Sequence, residues 1–218
     1  MATIEENLQV VKARMAGAQG VILLAVSKGQ GVELIKQALA AGQNAFGENY
    51  VQEAVQKMDA LPRAQWHLIG PLQSNKTRIA AERFDWVQTL ATEKIARRLS
   101  EQRPRHLPPL NVLIQVNVSA EESKKGVAPQ ELAALAKKVS LLPRLRLRGL
   151  MAMPEPGADR SRYSQAKEIF DRLKAEMGVD TLSMGMSDDL ELAIAEGATM
   201  VRVGTAIFGQ RKKQKSAA

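Results

Sequence analysis

The most reactive arrangement in the sequence is a lysine that follows a buried strand. Val21 to Val26 are consecutive apolar residues, as in a parallel strand covered on both faces, and Ser27 and Lys28 come directly after them. The carboxyl ends of such strands carry the chemistry of α/β proteins. A lysine held there and partly withdrawn from water can attack carbonyl groups as a neutral amine. The arrangement therefore predicts a Schiff-base lysine at position 28, against the alternative of a solvated lysine that closes a strand.

A second group of residues, near the carboxyl terminus, is suited to phosphate. Ser187 follows one apolar segment, and Gly204 and Thr205 follow the next. Backbone amides and helix starts in such positions commonly bind phosphate in barrel proteins, particularly after the seventh and eighth strands. Taken singly, the glycine is explained by a turn and Ser187 by the N-cap of a following helix. Together with Lys28, these residues predict a pocket for a phosphorylated aldehyde.

The elements that must position these residues form a regular alternation. Eight apolar segments alternate with helical stripes, which predicts a (β/α)₈ TIM barrel preceded by an extra N-terminal helix over residues 3–17. An open doubly wound sheet is the competing architecture. The barrel agrees better with eight regular units that lack a glycine-rich dinucleotide fingerprint. The predicted strands are residues 21–26, 45–49, 66–70, 86–90, 111–118, 145–153, 181–186 and 200–203.

Polar residues that end these strands are expected to meet, because the carboxyl ends of barrel strands converge on one face. His67 lies in a mostly apolar strand and is better explained as a packed, hydrogen-bonded core histidine than as a base. Residues 124–126, Lys-Lys-Gly, predict a solvated loop, or alternatively an extra amine over the barrel mouth. The strand-end residues are Ser27 and Lys28, Glu48 and Asn49, His67 and Gly70, Gln115 and Asn117, Met151, Met184 to Ser187, and Arg202 to Thr205.

Composition and charge narrow the class of protein. The chain fits one domain over residues 1–218, with a basic tail at 210–218 that is expected to be disordered. The net charge is +8, but aromatic residues make up 4% and no nucleic-acid-reading motif is present, which argues against a nucleic-acid partner. The absence of cysteine and the presence of two histidines argue against a metal site. An acidic N-terminus and short apolar runs predict a cytoplasmic protein without membrane contact.

Motifs spread over nearly the whole chain resemble those of a known family. On these motifs the sequence is similar to the YggS/PROSC family of pyridoxal-phosphate homeostasis proteins. In place of the threonine, basic residue and frequent proline that follow the lysine in this family, the chain has Gly29-Gln30-Gly31. The matching motifs are AVSK at 25–28, FGENYVQE at 46–53, WHLIGPLQSNK at 66–76, SKKG at 123–126, LPRLRLRGLMAMP at 142–154, LSMGMSDD at 182–189 and VRVGTAIFG at 201–209.

The resemblance implies a fold-type III barrel, similar to the N-terminal domain of alanine racemase, that binds pyridoxal 5'-phosphate (PLP). It implies an internal aldimine at Lys28, phosphate held by Ser187, Gly204 and Thr205, and Arg202 facing the pyridine nitrogen. The residues expected to bind PLP are Lys28, Asn49, His67, Ser187, Arg202, Gly204 and Thr205.

The function that the resemblance implies is PLP homeostasis, in which the protein carries and buffers PLP without an established catalytic reaction. PLP-dependent apo-enzymes are the expected protein partners, and the expected form is a monomer or a weak homodimer. One alternative is a PLP-dependent amino-acid racemase. Racemisation needs a base on each face of the substrate carbon, and neither Tyr50 nor Tyr163 is obviously placed as the second base. Another alternative is a barrel that binds phosphorylated metabolites without a covalent bond.

Overall fold

The eight strands of the computed structural model, which describes residues 2–119, 125–155 and 157–210, run parallel and close into a barrel. They follow one another around the barrel in chain order, and β1 pairs with β8. The predicted (β/α)₈ architecture is therefore confirmed. Lys124 and the predicted tail beyond residue 210 lie outside the described residues. The strands are β1 (Ile22–Val26), β2 (Ala45–Glu48), β3 (Gln65–Leu68), β4 (Trp86–Leu90), β5 (Leu110–Val116), β6 (Leu145–Ala152), β7 (Thr181–Ser183) and β8 (Met200–Val203).

Helices connect the strands, and α1 precedes the barrel as the sequence predicts. The start of α1 is a capping box, in which Thr3 and Glu6 bind each other's backbone amides. Within the described ranges, no helix combines the length and apolar character that crossing a membrane requires. The α-helices of the described residues are α1 (Ile4–Arg14), α2 (Val32–Ala40), α3 (Val51–Ala60), α4 (Thr77–Arg83), α5 (Glu93–Gln102), α6 (Leu132–Ser140), α7 (Arg160–Met177), α8 (Leu190–Ala195) and α9 (Thr205–Phe208).

Alternation along each strand sends side chains to two different environments. In β1, Ala25 belongs to the main core between the barrel and its helices, whereas Leu24 packs with Met200 in a separate cluster inside the barrel. Continuing this alternation beyond β1 directs Ser27 outwards, towards the helices, and Lys28 inwards. The barrel interior thus opens at its carboxyl end onto the residue that the sequence marks as reactive.

The predicted seventh strand is too long, because β7 ends at Ser183 instead of residue 186. Gly185 has a φ of +93°, which an L side chain rarely adopts, and a Cβ built on it would lie 2.4 Å from the Cβ of Ala193. Close packing of α8 against the chain after β7 therefore requires glycine at this point. The extended conformation stops there for the same reason.

The prediction that Ser187 caps the next helix is also wrong. Helix α8 begins at Leu190, and Asp189 occupies the N-cap position without a side-chain capping bond. The Asp189 carboxylate instead accepts hydrogen bonds from the backbone N–H of Met186 and from the Tyr163 hydroxyl. Ser187 therefore lies in a turn before the helix. The Asp189 carboxylate closes this turn through Met186 and bonds to Tyr163 instead of capping α8.

Candidate functional site

A cavity of about 460 Å³ opens at the carboxyl ends of the strands. This volume falls within the range of roughly 300–1,000 Å³ that is usual for small-molecule sites. A groove of about 290 Å³ between α6 and α7 contains none of the predicted binding residues. The residues of the predicted set that line the larger cavity are Lys28, Asn49, Ser187, Arg202, Gly204 and Thr205, and its apolar lining includes Val26, Ile69, Pro71, Met151, Met153 and Met186.

Lys28 is half-buried and lines the cavity. It lies two residues after Val26 and therefore on the same inward face. The chain turns directly after it, because Gly29 has a φ of +72°. A β-branched residue such as threonine rarely adopts this left-handed conformation. Glycine, which stands here in place of the family's usual threonine, is therefore suited to the turn of the backbone after Lys28.

Behind Lys28, on the outer side of the strands, lies a buried group of charges. Glu48 and Ser27, both fully buried, are joined by a hydrogen bond of 2.5 Å from the Ser27 hydroxyl to Glu48 Oε1. The Lys57 ammonium donates to the same carboxylate oxygen at 2.7 Å. Burial raises the pKa of Glu48, an effect that the positive charge of Lys57 opposes. Ser27 and Glu48 were expected at the barrel mouth, but the structure places them between the barrel and α3.

Lys57 belongs to none of the predicted sites, although its position in the sequence carried a signal. Val51 and Ala54 are buried residues of α3, and Lys57 continues their spacing of three residues on the same face. A lysine on the apolar face of a helix must find partners for its charge, because burial of an unpaired ammonium is costly. The helical stripe therefore indicated a buried lysine that needs partners, although it did not identify them.

Arg202 forms part of the cavity floor and is 4% exposed. Its guanidinium donates to Ser183 Oγ at 2.8 Å and to the Ala152 carbonyl at 3.1 Å. Burial lowers the pKa of Arg202 to about 10, against the opposing effect of the Asp189 charge. The guanidinium therefore remains a cation at neutral pH.

His67 does not line the cavity, in contrast to the expectation that it contacts the ligand. Its ring is fully buried, stacks on Trp86 with centroids 5.1 Å apart, and bonds to Gln65 through Nε2 and to Gln88 through Nδ1. Burial lowers the pKa of His67 to about 3, so the ring is neutral at physiological pH. The interpretation as a packed, hydrogen-bonded core histidine agrees with this environment.

A chain of hydrogen bonds connects this histidine with the cavity floor. Gln88 bonds to His67 Nδ1 at 2.9 Å and accepts from the Ser183 hydroxyl at 2.7 Å, and Ser183 in turn accepts from Arg202. Buried polar groups of this kind hold one another in fixed orientations when every member is satisfied. His67 thus supports Arg202 through two intermediate side chains.

The segments after β7 and β8 meet at the other side of the cavity and are fastened to α1. The Arg14 guanidinium donates to the Ser187 carbonyl at 2.9 Å and pairs with Glu191, with the closer contact at 2.6 Å. Asn7 Nδ2 donates to the Ile207 carbonyl in α9 at 2.9 Å. The first turn of α9 leaves backbone amides without intrahelical partners next to the Thr205 hydroxyl. Helix α1 therefore supports both segments that carry the predicted phosphate donors.

Lys125 also lines the cavity, in agreement with the alternative that the 124–126 loop places an amine at the barrel mouth. Its carbonyl accepts from Gln115 Nε2 at 3.2 Å, and Val127 pairs in parallel with Val116. The described part of this loop is therefore anchored to β5. Among the described residues, two lysines line the cavity, and Lys28 is the one placed at a strand end.

Neither tyrosine lines the cavity. Tyr50 is 64% exposed at the N-cap of α3. Tyr163 is buried, and its hydroxyl donates to Asp189 Oδ2 at 2.5 Å. Burial, together with the Asp189 carboxylate, raises the pKa of Tyr163 above its usual value. A phenol in this environment is a poor proton acceptor at neutral pH.

A parallel α/β barrel with a lysine in the cavity at its carboxyl end is the architecture of fold-type III PLP proteins. A model of the alanine racemase N-terminal domain matches residues 1–212. The pyridoxal phosphate homeostasis protein of Pseudomonas aeruginosa is 55% identical, over 97% of this chain and 97% of the relative. The chain therefore belongs to the alanine racemase N-terminal domain family and, within it, to the pyridoxal phosphate homeostasis proteins.

Solved structures agree with this assignment. PipY from Synechococcus elongatus is 37% identical, and its structure without PLP covers 95% of this chain and 100% of its own with a TM-score of 0.88. The structure of PipY with PLP bound gives a TM-score of 0.85 over the same shares of the chains. Alanine racemase from Clostridium difficile is 12% identical with a TM-score of 0.82, over 98% of this chain and 57% of its own, which shows a common fold.

Proposed function

We propose that this protein binds PLP as a Schiff base with Lys28 and acts in PLP homeostasis as a carrier or buffer without a catalytic reaction of its own. The observation that carries the proposal is the convergence of an amine, a buried guanidinium and hydroxyl and amide donors on one cavity. PLP presents an aldehyde, a pyridine nitrogen and a phosphate, and each has a counterpart there. The binding of PLP by PipY and the names of the curated relatives support the same ligand.

The covalent step requires the neutral amine of Lys28. Lys28 Nζ would hold the aldehyde carbon through a C=N bond, and the carbonyl oxygen would leave as water together with the two amine hydrogens. The family resemblance assigns Arg202 to the pyridine nitrogen, where its guanidinium would donate a hydrogen bond and keep that nitrogen unprotonated. Such a ring withdraws electrons weakly, but this property does not by itself distinguish storage from catalysis.

Phosphate is assigned to Ser187, Gly204 and Thr205. Backbone amides and hydroxyls at a turn form charge-assisted hydrogen bonds with a dianion. Met151 and Met186, which also line the cavity, provide apolar contact for a flat ring. The residues of the cavity therefore fit the group, from the reactive carbon to the phosphate.

Borohydride reduction followed by peptide mass spectrometry tests the attachment site. Reduction converts the Schiff base to a stable secondary amine, and the pyridoxyl group is expected on Lys28. Lys28→Ala should abolish the visible absorption of the bound ligand, whereas Lys125→Ala, in the same cavity, should retain it. A label on Lys125, or binding without any label, would contradict the covalent proposal. The latter result would support the non-covalent alternative.

A racemase is the second candidate because the barrel resembles that of alanine racemase. Two bases are needed, and the environments of Tyr50 and Tyr163 described above supply no second one. Incubation of the PLP-loaded protein with L-alanine in deuterated water, followed by NMR, distinguishes the two functions. We expect little inversion. Exchange of the α-proton with retained configuration is compatible with Lys28 acting alone, while robust inversion at an enzyme-like turnover would overturn the non-catalytic assignment.

A further inference from the structure

We propose that Lys57 is a positioning residue for Lys28: with Glu48 and Glu53, it fixes the backbone on both sides of Lys28 and so directs the amine into the cavity. This inference rests on the proposed Schiff base at Lys28. Lys57 itself lies behind the barrel wall, on α3, and is 4% exposed.

The Lys57 ammonium has three protons, and each has an acceptor. The acceptors are the Ser27 carbonyl, Glu48 Oε1 and Glu53 Oε1, all at 2.7 Å. An ammonium with this set of partners cannot act as a nucleophile without losing the bonds that hold it. Lys57 is therefore suited to hold the chain and not to bind PLP.

One of these bonds, to Ser27, and a further bond from Gly29 to Glu53 hold the residues on either side of Lys28. Ser27, the residue before it, is held directly through its carbonyl, and its hydroxyl donates to Glu48. Gly29, the residue after it, donates its backbone N–H to Glu53 Oε1 at 2.5 Å. Because Glu53 also accepts from Lys57, one ammonium is connected to both neighbours of Lys28 within one or two hydrogen bonds.

The hydrogen bonds that hold Ser27 and Gly29 begin where the regular strand pairing ends. The pairing of β1 with β2 reaches Val26, and the Ser27 N–H makes one further bond to the Gly47 carbonyl, at 3.0 Å. The next residues include two glycines, which lose more conformational freedom on folding than any other residue. The Gln30 N–H closes a turn onto the Ser27 carbonyl at 3.0 Å, and Lys57 with Glu48 and Glu53 adds support from outside the segment at the residues that flank Lys28.

The ionic character of the support also argues for positioning. A buried ion pair seldom adds net stability, because removing the charges from water costs about as much as their attraction returns. Buried ions instead impose directions, since each bond has a donor and an acceptor that apolar packing lacks. The cost of burying Lys57 and Glu48 beside the reactive segment is consistent with a requirement for one fixed direction of Lys28.

The rate at which PLP-free protein forms the Schiff base tests the proposal. Lys57→Met should lower the rate constant by roughly ten- to a hundredfold, the loss that a displacement of about 1 Å produces in a positioned reaction. Binding of pyridoxine 5'-phosphate, which has a hydroxymethyl group in place of the aldehyde, should change by less than about threefold because ring and phosphate contacts remain. Lys36→Met removes an exposed ion pair on α2 and is the matched control, with rates expected within about twofold of the parent.

Chemical rescue separates positioning from a general packing defect. The chain contains no cysteine, so Lys57→Cys introduces a unique thiol. Aminoethylation of this thiol in the unfolded state, followed by refolding, restores an ammonium on a chain of lysine length. The aminoethylated variant should recover most of the parent rate, and the unmodified Lys57→Cys protein should not. Recovery without aminoethylation would overturn the proposal.

Glu53→Ala keeps the proposal testable if Lys57→Met does not fold. The Glu53 side chain is 29% exposed, so its removal threatens the fold less, yet it removes the acceptor of Gly29. An unchanged rate of Schiff-base formation in Glu53→Ala, or in a folded Lys57→Met variant, overturns the role of Lys57. Absence of a Schiff base at Lys28 in the parent protein refutes instead the proposed function. The two failures are therefore distinguishable.

Discussion

On the lysine side of the cavity, residues 27–29 are held from behind the barrel wall by the charges of Glu48, Glu53 and Lys57. On the phosphate side, formed by residues 186–189 and 204–205, the chain is held by carbonyl contacts from α1 and by the exposed Arg14–Glu191 pair. The difference corresponds to what each side is proposed to bind. A covalent bond depends on the direction of one atom, whereas a phosphate distributes its contacts over several donors. Substitutions should therefore have unequal consequences on the two sides.

The largest effect on stability is expected from removing the charge of Lys57, which lies at the centre of the contacts on the lysine side. Lys57→Met should lower the free energy of unfolding by about 3–5 kcal/mol, because it leaves the buried Glu48 carboxylate without its counter-charge. Adding Glu48→Gln should recover part of this loss, since a neutral amide is cheaper to bury. Urea unfolding of the PLP-free proteins, followed by circular dichroism, measures both values. A cost below about 1 kcal/mol would show that the two sides are equally tolerant.

On the phosphate side, the expected effect falls on binding and not on folding. Each charge-assisted hydrogen bond to a phosphate is worth on the order of 1.5–3 kcal/mol, so Ser187→Ala or Thr205→Val should weaken PLP binding by roughly ten- to a hundredfold. Pyridoxal, which lacks the phosphate, should bind poorly to the parent protein and respond little to either change. Equilibrium dialysis with both ligands checks this expectation. Equal affinities of the parent for PLP and pyridoxal would contradict the phosphate assignment.

Acidification should lower the stability of the protein through His67, which lies beneath the cavity floor. Because the pKa of His67 falls to about 3 on folding, the unfolded chain binds a proton below pH 6.5 that the folded protein does not bind until near pH 3. The contribution of His67 to stability is therefore present above pH 6.5 and declines as the pH falls. The loss approaches about 1.4 kcal/mol per pH unit and amounts to about 1 kcal/mol between pH 6.5 and 5.5.

His67→Gln provides the comparison for this pH dependence. The substitution is expected to lower stability at every pH but to remove the slope between pH 6.5 and 5.5, because glutamine does not titrate. Unfolding free energies at the two pH values are the readout for parent and variant. The same slope in both proteins would assign the pH dependence to another group.

The smallest effect is expected at the attachment of α1 to the phosphate side. Arg14→Gln removes an exposed ion pair, worth about 0.2–1 kcal/mol, and the bond to the Ser187 carbonyl. PLP affinity should fall by about two- to fivefold, while the rate constant of Schiff-base formation at saturating PLP stays unchanged. The effect should shrink at high salt because exposed charges are screened. A loss as large as that of Ser187→Ala would mean that α1 holds the phosphate donors more strictly than its exposure suggests.

The sequence alone determined the barrel and the position of Lys28 at its carboxyl end. Eight apolar segments and their spacing predicted the strands, and the end of the first segment placed Lys28 at the carboxyl face. The predicted boundary failed after β7, where the backbone angle of a single residue, Gly185, decided it. These features depend on local pattern, which neighbouring residues encode.

Strand alternation alone separates some strand-end residues from the cavity, but only the tertiary structure decided what supports the residues that line it. Ser27 and Glu48 point away from Lys28, as strand alternation would have predicted, and His67 lies below the cavity. The contacts from Lys57 and Arg14 join residues 30 and 173 positions apart. Such contacts arise when helices dock on the closed barrel, and docking depends on the shape of the whole surface. A hydrogen bond is therefore specified by two distant segments together, and neither segment carries that information alone.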